Sequence, residues 1–275
     1  DSTLVKQLDF WQPKENVKSS SIEEPLITAQ SALLYDVTSD TVLYEKNSKK
    51  RLPVASLVKI ATAIVALESM DPKTKITVSQ RAATIGENSM GLAVGETYTL
   101  EDLLYGLVLH SGNDAAEAIA ETVSGSSTQF VEDMNRKAKI LGATDTFFIN
   151  PSGLEDDFNN EYSTAHDLVI LTKHALTLPL FAEITQTYEY HIPYTASHKE
   201  LHLYNQTNLL TTYPGAKGVK TGYTPGAGFC LITYVENGKH KLIGVILNSE
   251  QRREEMRELL DYSFKVLGVH VPGRI

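Results

Sequence analysis

Residues 60–67, Ile60-Ala61-Thr62-Ala63-Ile64-Val65-Ala66-Leu67, are Ala-rich and apolar on almost every face, the pattern of a helix buried on all sides. Upstream, residues 29–36 and 41–46 are two strand-like runs around Thr38-Ser39-Asp40 and predict a hairpin. Downstream, helical periodicity holds over 100–109, 114–123, 128–141 and 164–176, the third segment closed by Gly142. Strand character returns at 187–194 and 218–223. Residues 229–235 and 241–247 then flank Asn237-Gly238, a favoured two-residue turn, and a last helix is predicted over 250–267. Residues 11–25 hold Ser19-Ser20-Ser21 and two prolines without a period, so 1–25 reads as a tail or linker ahead of a domain spanning 26–275. Strands at both ends with helices between them predict an α+β fold. An antiparallel sheet is flanked by helices and carries an inserted, mostly helical lobe, with the cleft between the lobes.

Composition narrows the function classes. A chain of 275 residues with 42% hydrophobic residues can bury one large core or two tightly joined lobes. A net charge of −9 argues against nucleic acid as a partner. No stretch approaches the roughly 18 consecutive apolar residues of a membrane helix, and no basic segment followed by an apolar one stands at the N-terminus, so no membrane segment is expected in this chain. Cys230 is the single cysteine, which excludes an intramolecular disulfide, and its apolar strand makes it a core residue.

Three short motifs carry candidate chemistry, in the order Ser56-Leu57-Val58-Lys59, Ser111-Gly112-Asn113 and Lys220-Thr221-Gly222. A serine hydroxyl is a weak nucleophile until a neighbouring group removes its proton. On a helix, residues three apart share a face, which brings Lys59 back beside Ser56. Burial lowers a lysine pKa toward that of a base, and a serine at a helix start has backbone N–H groups nearby for an oxyanion. Taken alone, the pair reads equally as a capping serine and a lysine snorkelling from a core helix. Ser111-Gly112-Asn113 sits between two predicted helices, where a hydroxyl can relay a proton and an amide can hold a peptide, or where it simply makes a turn. Lys220-Thr221-Gly222-Tyr223 lies on a short strand. Its lysine and threonine suit a substrate carboxylate, and Gly222 permits another backbone to approach.

Longer matches surround the motifs: Pro53-Val54-Ala55-Ser56, Ser111-Gly112-Asn113-Asp114-Ala115-Ala116, Met134-Asn135 with Ala138, Asn150-Pro151-Ser152-Gly153-Leu154, Tyr162-Ser163-Thr164-Ala165 and Val219-Lys220-Thr221-Gly222-Tyr223. In this order, over residues 29–268, they resemble the penicillin-binding proteins of the serine D-alanyl-D-alanine carboxypeptidase family, whose motif set the three short patterns match. The resemblance implies the penicillin-binding, serine β-lactamase-like fold. It implies Ser56 as nucleophile, Lys59 as its base, Ser111 as proton relay and Asn113 as substrate holder. Lys220 and Thr221 would bind the terminal carboxylate, and the N–H groups of Ser56 and Tyr223 would form the oxyanion hole beside Gly222. The substrate implied is a peptidoglycan stem peptide ending in D-Ala-D-Ala. β-Lactams would acylate the same serine, no cofactor or metal is required, and the location is the extracytoplasmic bacterial envelope.

The pattern also departs from the family. Val58 stands where threonine is common and His166 where arginine is common, and the β-rich second domain into which many relatives continue is not expected within residues 26–275. Two further functions stay open: a serine β-lactamase, for which Glu155 and Asn159 imitate the glutamate and asparagine of class A enzymes, and a non-catalytic penicillin-binding sensor. His198 and His202, four apart, would chelate zinc on a helix. Their flanks read as strand and loop, so no metal site is expected there.

Overall fold

The computed structural model describes residues 13, 15–16, 22–155, 161–207 and 209–270. The two ends of the described chain pair into one six-stranded sheet. Its strands are β1 (Glu15–Asn16), β2 (Ser31–Asp36), β3 (Thr41–Lys46), β8 (Ala216–Thr224), β9 (Gly228–Asn237) and β10 (His240–Ser249), in the order β1-β3-β2-β10-β9-β8. All neighbours are antiparallel except β1, which adds in parallel to β3 through Glu15 and Asn16 within the segment read as linker. Between β3 and β8 lie α1 (Lys59–Ser69), β4 (Lys75–Thr77), α2 (Gln80–Ala83), β5 (Thr97–Thr99), α3 (Leu100–Leu109), α4 (Asn113–Ser124), α5 (Ser127–Leu141), α6 (Ala165–Ala175), α7 (Pro179–Gln186), β6 (Glu189–Ile192), β7 (Leu201–Tyr204) and α8 (Leu209–Thr212). Helix α9 (Arg252–Val266) follows β10.

The sheet is buried on both faces, so its central strands lack the polar alternation of a half-exposed sheet. Leu33 and Tyr35 of β2, with Ile243, Val245 and Leu247 of β10, pack against the helical region. Ala32, Leu34, Leu242 and Ile246 face the other way, onto Met256, Leu259, Leu260 and Phe264 of α9. Helix α1 is the axis of the helical lobe: every residue from Lys59 to Ala66 is buried, as its all-round apolarity requires. Helix α3 begins with a capping box in which Thr99 accepts from the Asp102 N–H and Asp102 from the Thr99 N–H. Helix α5 ends at Gly142, φ +94°, where only glycine is unstrained. Among the described residues no single helix is long and apolar enough to cross a membrane; α6 and α7 together reach that length but meet at 109°.

One turn differs from expectation by a residue. Asn237 pairs with His240, so the two-residue connection is Gly238-Lys239. Glycine takes the positive φ of +59°, while the Asn237 side chain donates to the His270 carbonyl, 3.0 Å away. The β4–β5 and β6–β7 pairings and helices α2, α7 and α8 are additional to the sequence reading.

Candidate active site

Residues Ala55–Val58 form one 3-10 turn that runs directly into α1, which places Ser56 at the mouth of the most buried helix. Ala55, just before it, has φ +50°, a conformation costing of order 1–3 kcal/mol in a non-glycine residue that surrounding structure must hold in place. Lys59, one turn on, is completely buried. Its Nζ donates to Ser56 Oγ at 2.9 Å, Asn113 Oδ1 at 2.9 Å and the Ser152 carbonyl at 2.6 Å, all neutral acceptors. Burial, reinforced by the charge of Lys220, holds its pKa well below that of an ordinary lysine, against the weaker pull of Glu161, Asp114 and Glu87. The lowered pKa favours the neutral amine, the form able to take the proton of the neighbouring serine hydroxyl.

The second motif approaches from the α3–α4 connection. Ser111 has φ +62° and is buried, and its Oγ has no hydrogen-bond partner among the described residues. A buried hydroxyl left unsatisfied costs about 1–3 kcal/mol, and this one lines the same cavity as Ser56 and Thr221. The loop is locked from behind by Asp114, which accepts from Met90 N at 2.9 Å, Leu92 N at 3.0 Å and Ser89 Oγ at 2.6 Å. Asn113 donates to the Gly86 carbonyl at 3.2 Å, so segment 86–92 and the Ser111 loop form one wall.

The third motif is on β8, the end strand of the sheet. A Cβ on Gly222 would lie 3.0 Å from the Val54 carbonyl oxygen and 3.3 Å from Ser56 N; glycine is what lets this strand touch the serine turn. Lys220 is buried and donates to the Thr221 carbonyl at 3.0 Å. Burial and the nearby Arg252 guanidinium bring its pKa down to about 7. Thr221 and Gly222 line the cavity with Ser56 and Ser111, and Tyr223 is exposed, its ring 4.6 Å from that of Phe229. All eight predicted site residues thus converge on the junction between sheet and helical lobe.

Two contributors escaped the sequence. Arg252, at the start of α9, donates to the carbonyls of Gly222 at 2.6 Å and Cys230 at 3.2 Å and lines the cavity beside Thr221. It is one of a run of charges, Arg252-Arg253-Glu254-Glu255, and nothing in the run singles it out. The Ser152 carbonyl reaches Lys59 because Asn150 folds the 150–154 loop inward, accepting from Ser152 N and Gly153 N. A Cβ on Gly153 would lie 2.1 Å from the Ala55 carbonyl oxygen, which is the signal that this glycine carried. Glu155 Oε2 accepts from the Gly226 N–H at 3.1 Å and braces the β8–β9 turn; Asn159 lies outside the described residues. Cys230 is buried and its thiol is pushed up to about 11 by burial. His198 and His202 do not meet: His198 is buried against Tyr98, while His202 faces His191 across the β6–β7 pair.

A serine hydrogen-bonded to a buried lysine of lowered pKa, a polar loop and an edge strand bearing Lys-Thr-Gly, set between a sheet and a helical lobe, define the penicillin-binding class of serine acyl-transfer fold. The family model for D-alanyl-D-alanine carboxypeptidases, Peptidase S11, matches residues 18–251, and the chain belongs to that family. It is 37% identical over 250 residues to D-alanyl-D-alanine carboxypeptidase DacF of Bacillus subtilis, covering 88% of this chain and 64% of DacF. It is 37% identical to DacB2 of Mycobacterium tuberculosis, covering 85% of this chain and 79% of the relative. Among solved structures, a D-alanyl-D-alanine carboxypeptidase from M. tuberculosis superposes with TM-score 0.85 at 32% identity, covering 94% of this chain and 98% of that one. The Streptomyces K15 DD-transpeptidase does so with TM-score 0.83 at 29% identity, covering 89% and 100%.

Proposed function

We propose that this chain is a serine D-alanyl-D-alanine carboxypeptidase that removes the terminal D-alanine of peptidoglycan stem peptides at the extracytoplasmic face of a bacterial envelope. The observation that carries the reading is the 2.9 Å contact between the Ser56 hydroxyl and a fully buried Lys59 whose described hydrogen bonds all run to neutral acceptors.

Ser56 Oγ attacks the carbonyl carbon of the penultimate D-alanine while its proton passes to Lys59 Nζ. The backbone N–H groups of Ser56 and Tyr223 stabilise the oxyanion; Gly222, 3.3 Å from Ser56 N at its Cβ position, is what permits the two segments to approach. Collapse of the tetrahedral intermediate breaks the peptide C–N bond. The leaving amine takes a proton delivered through Ser111 Oγ, whose buried hydroxyl is unengaged within the described protein. Asn113 holds the peptide backbone. Lys220, Thr221 and the charge of Arg252 gather around the terminal carboxylate. Water then hydrolyses the ester, and Lys59 again takes up the proton. A β-lactam presents the same acyl group and carboxylate and acylates Ser56, its ring-opened amine remaining attached.

The test is D-alanine release from a diacetyl-L-lysyl-D-alanyl-D-alanine peptide. Release that disappears in Ser56→Ala is expected; a folded parent protein that releases none removes the carboxypeptidase reading.

A further inference from the structure

Away from the cleft, the β6–β7 pair carries a second constellation. Its inner face, Tyr190, Ile192, Leu201 and Leu203, packs on the domain, and its outer face presents His191 and His202 to solvent. The two histidines are direct cross-strand partners, and their rings stack with centroids 4.4 Å apart and planes at 17°. The carboxylate of Glu200, just ahead of β7, reaches both: Oε1 lies 2.6 Å from His191 Nε2 and 3.4 Å from His202 Nε2. One ligand atom from each residue falls within 4.8 Å of the others. Tetrahedral zinc with bonds of about 2.0–2.1 Å sets its ligand atoms about 3.3 Å apart, so exposed side chains on a paired backbone need only small rotations to enclose an ion.

We propose that His191, Glu200 and His202 form a site for a divalent transition metal of the zinc class, with an open fourth position for water, that clips β6 to β7. Two imidazoles favour zinc, nickel or copper over calcium or magnesium, whose preferred ligands are all oxygen. Glu200 supplies the charge that a pair of neutral imidazoles lacks. The clip has a structural consequence because the pair braces the helical wall of the cleft. Tyr190 donates to Asp102 of α3 at 3.3 Å, and Gln206, two residues past β7, donates from its backbone to the Leu109 carbonyl and from its side chain to the His110 carbonyl. His110 immediately precedes Ser111.

The test uses the whole chain, free of any polyhistidine tag, stripped with chelator, dialysed against zinc chloride and then assayed for bound zinc and for Tm. About one zinc per chain is expected, with Tm raised by about 5 °C at a hundredfold excess over Kd. His202→Asn and Glu200→Gln should reduce both, whereas His174→Asn, at a different histidine–glutamate contact, should leave them unchanged. Glu200 and His202 are exposed and His174 is half-buried at the end of α6, so the variants are expected to fold. Parent protein that retains less than about a tenth of a zinc per chain, or His202→Asn that retains as much as the parent, overturns the site. Neither readout depends on Ser56 chemistry, so the result stands apart from the carboxypeptidase reading.

Discussion

Lys220→Met separates what the buried lysine does for function from what it does to stability. Lys220 is 2% exposed, its described hydrogen bond runs to a carbonyl, and its pKa falls from 10.5 to about 7 through burial and the Arg252 charge. Between those two values the unfolded chain binds more protons than the folded one, so stability rises with pH across that window and the penalty is fully present below pH 7. At about 1.4 kcal/mol per pKa unit the penalty is about 5 kcal/mol at pH 6 and about 2 kcal/mol at pH 9. Methionine keeps a similar length without the charge and loses one hydrogen bond of about 1 kcal/mol. Lys220→Met should therefore be more stable than the parent by about 4 kcal/mol at pH 6 and by about 1 kcal/mol at pH 9, measured by urea unfolding at both pH values. Acylation by benzylpenicillin should fall by about 10²–10³. A parent at least as stable as Lys220→Met at pH 6, or a difference that does not shrink by pH 9, refutes the reasoning.

Other outcomes follow from the same contacts. Gly222→Ala sets a methyl 3.0 Å from the Val54 carbonyl oxygen, so the serine turn and β8 must part by a few tenths of an ångström. Stopped-flow acylation should slow by about tenfold or more, and an unchanged rate would show that β8 need not touch the turn. Asp114→Ala strands the N–H groups of Met90 and Leu92 and should destabilise by about 2–3 kcal/mol in urea unfolding; a loss below about 0.5 kcal/mol would mean the wall is held otherwise. The acylation rate should rise with pH through a pKa well below an ordinary lysine's, because burial and the Lys220 charge lower the pKa of Lys59; a rate that climbs only near pH 10.5 would assign the base elsewhere.

The sequence exposed what is periodic or chemically constrained. Leu100–Leu109 was legible to the residue from its apolar helical pattern, and the structure starts that helix on a capping box at Thr99. The three motifs were legible because nucleophile, base and carboxylate partner admit few residue types. Backbone contributions were not: the Ser152 carbonyl reaches Lys59 through a loop fold that Asn150 organises, and any residue owns a carbonyl. Strands β4 and β5, three residues each, are too short to display a period. The β6–β7 pairing was hidden because residues 193–200 separate its strands, so His202 was weighed against His198, four residues away, when the partner it faces is His191. Arg252 vanished into a run of charged residues, distinguished only once α9 is placed beside β9 and β8.

The most direct measurement is intact mass spectrometry after mixing with benzylpenicillin, followed by peptide mapping of the adduct. A single stable adduct on Ser56, absent in Ser56→Ala, is the expected result. An adduct on another residue, penicillin consumed with no adduct formed, or unmodified protein beside intact penicillin would contradict Ser56 as the nucleophile of a slowly deacylating D,D-peptidase.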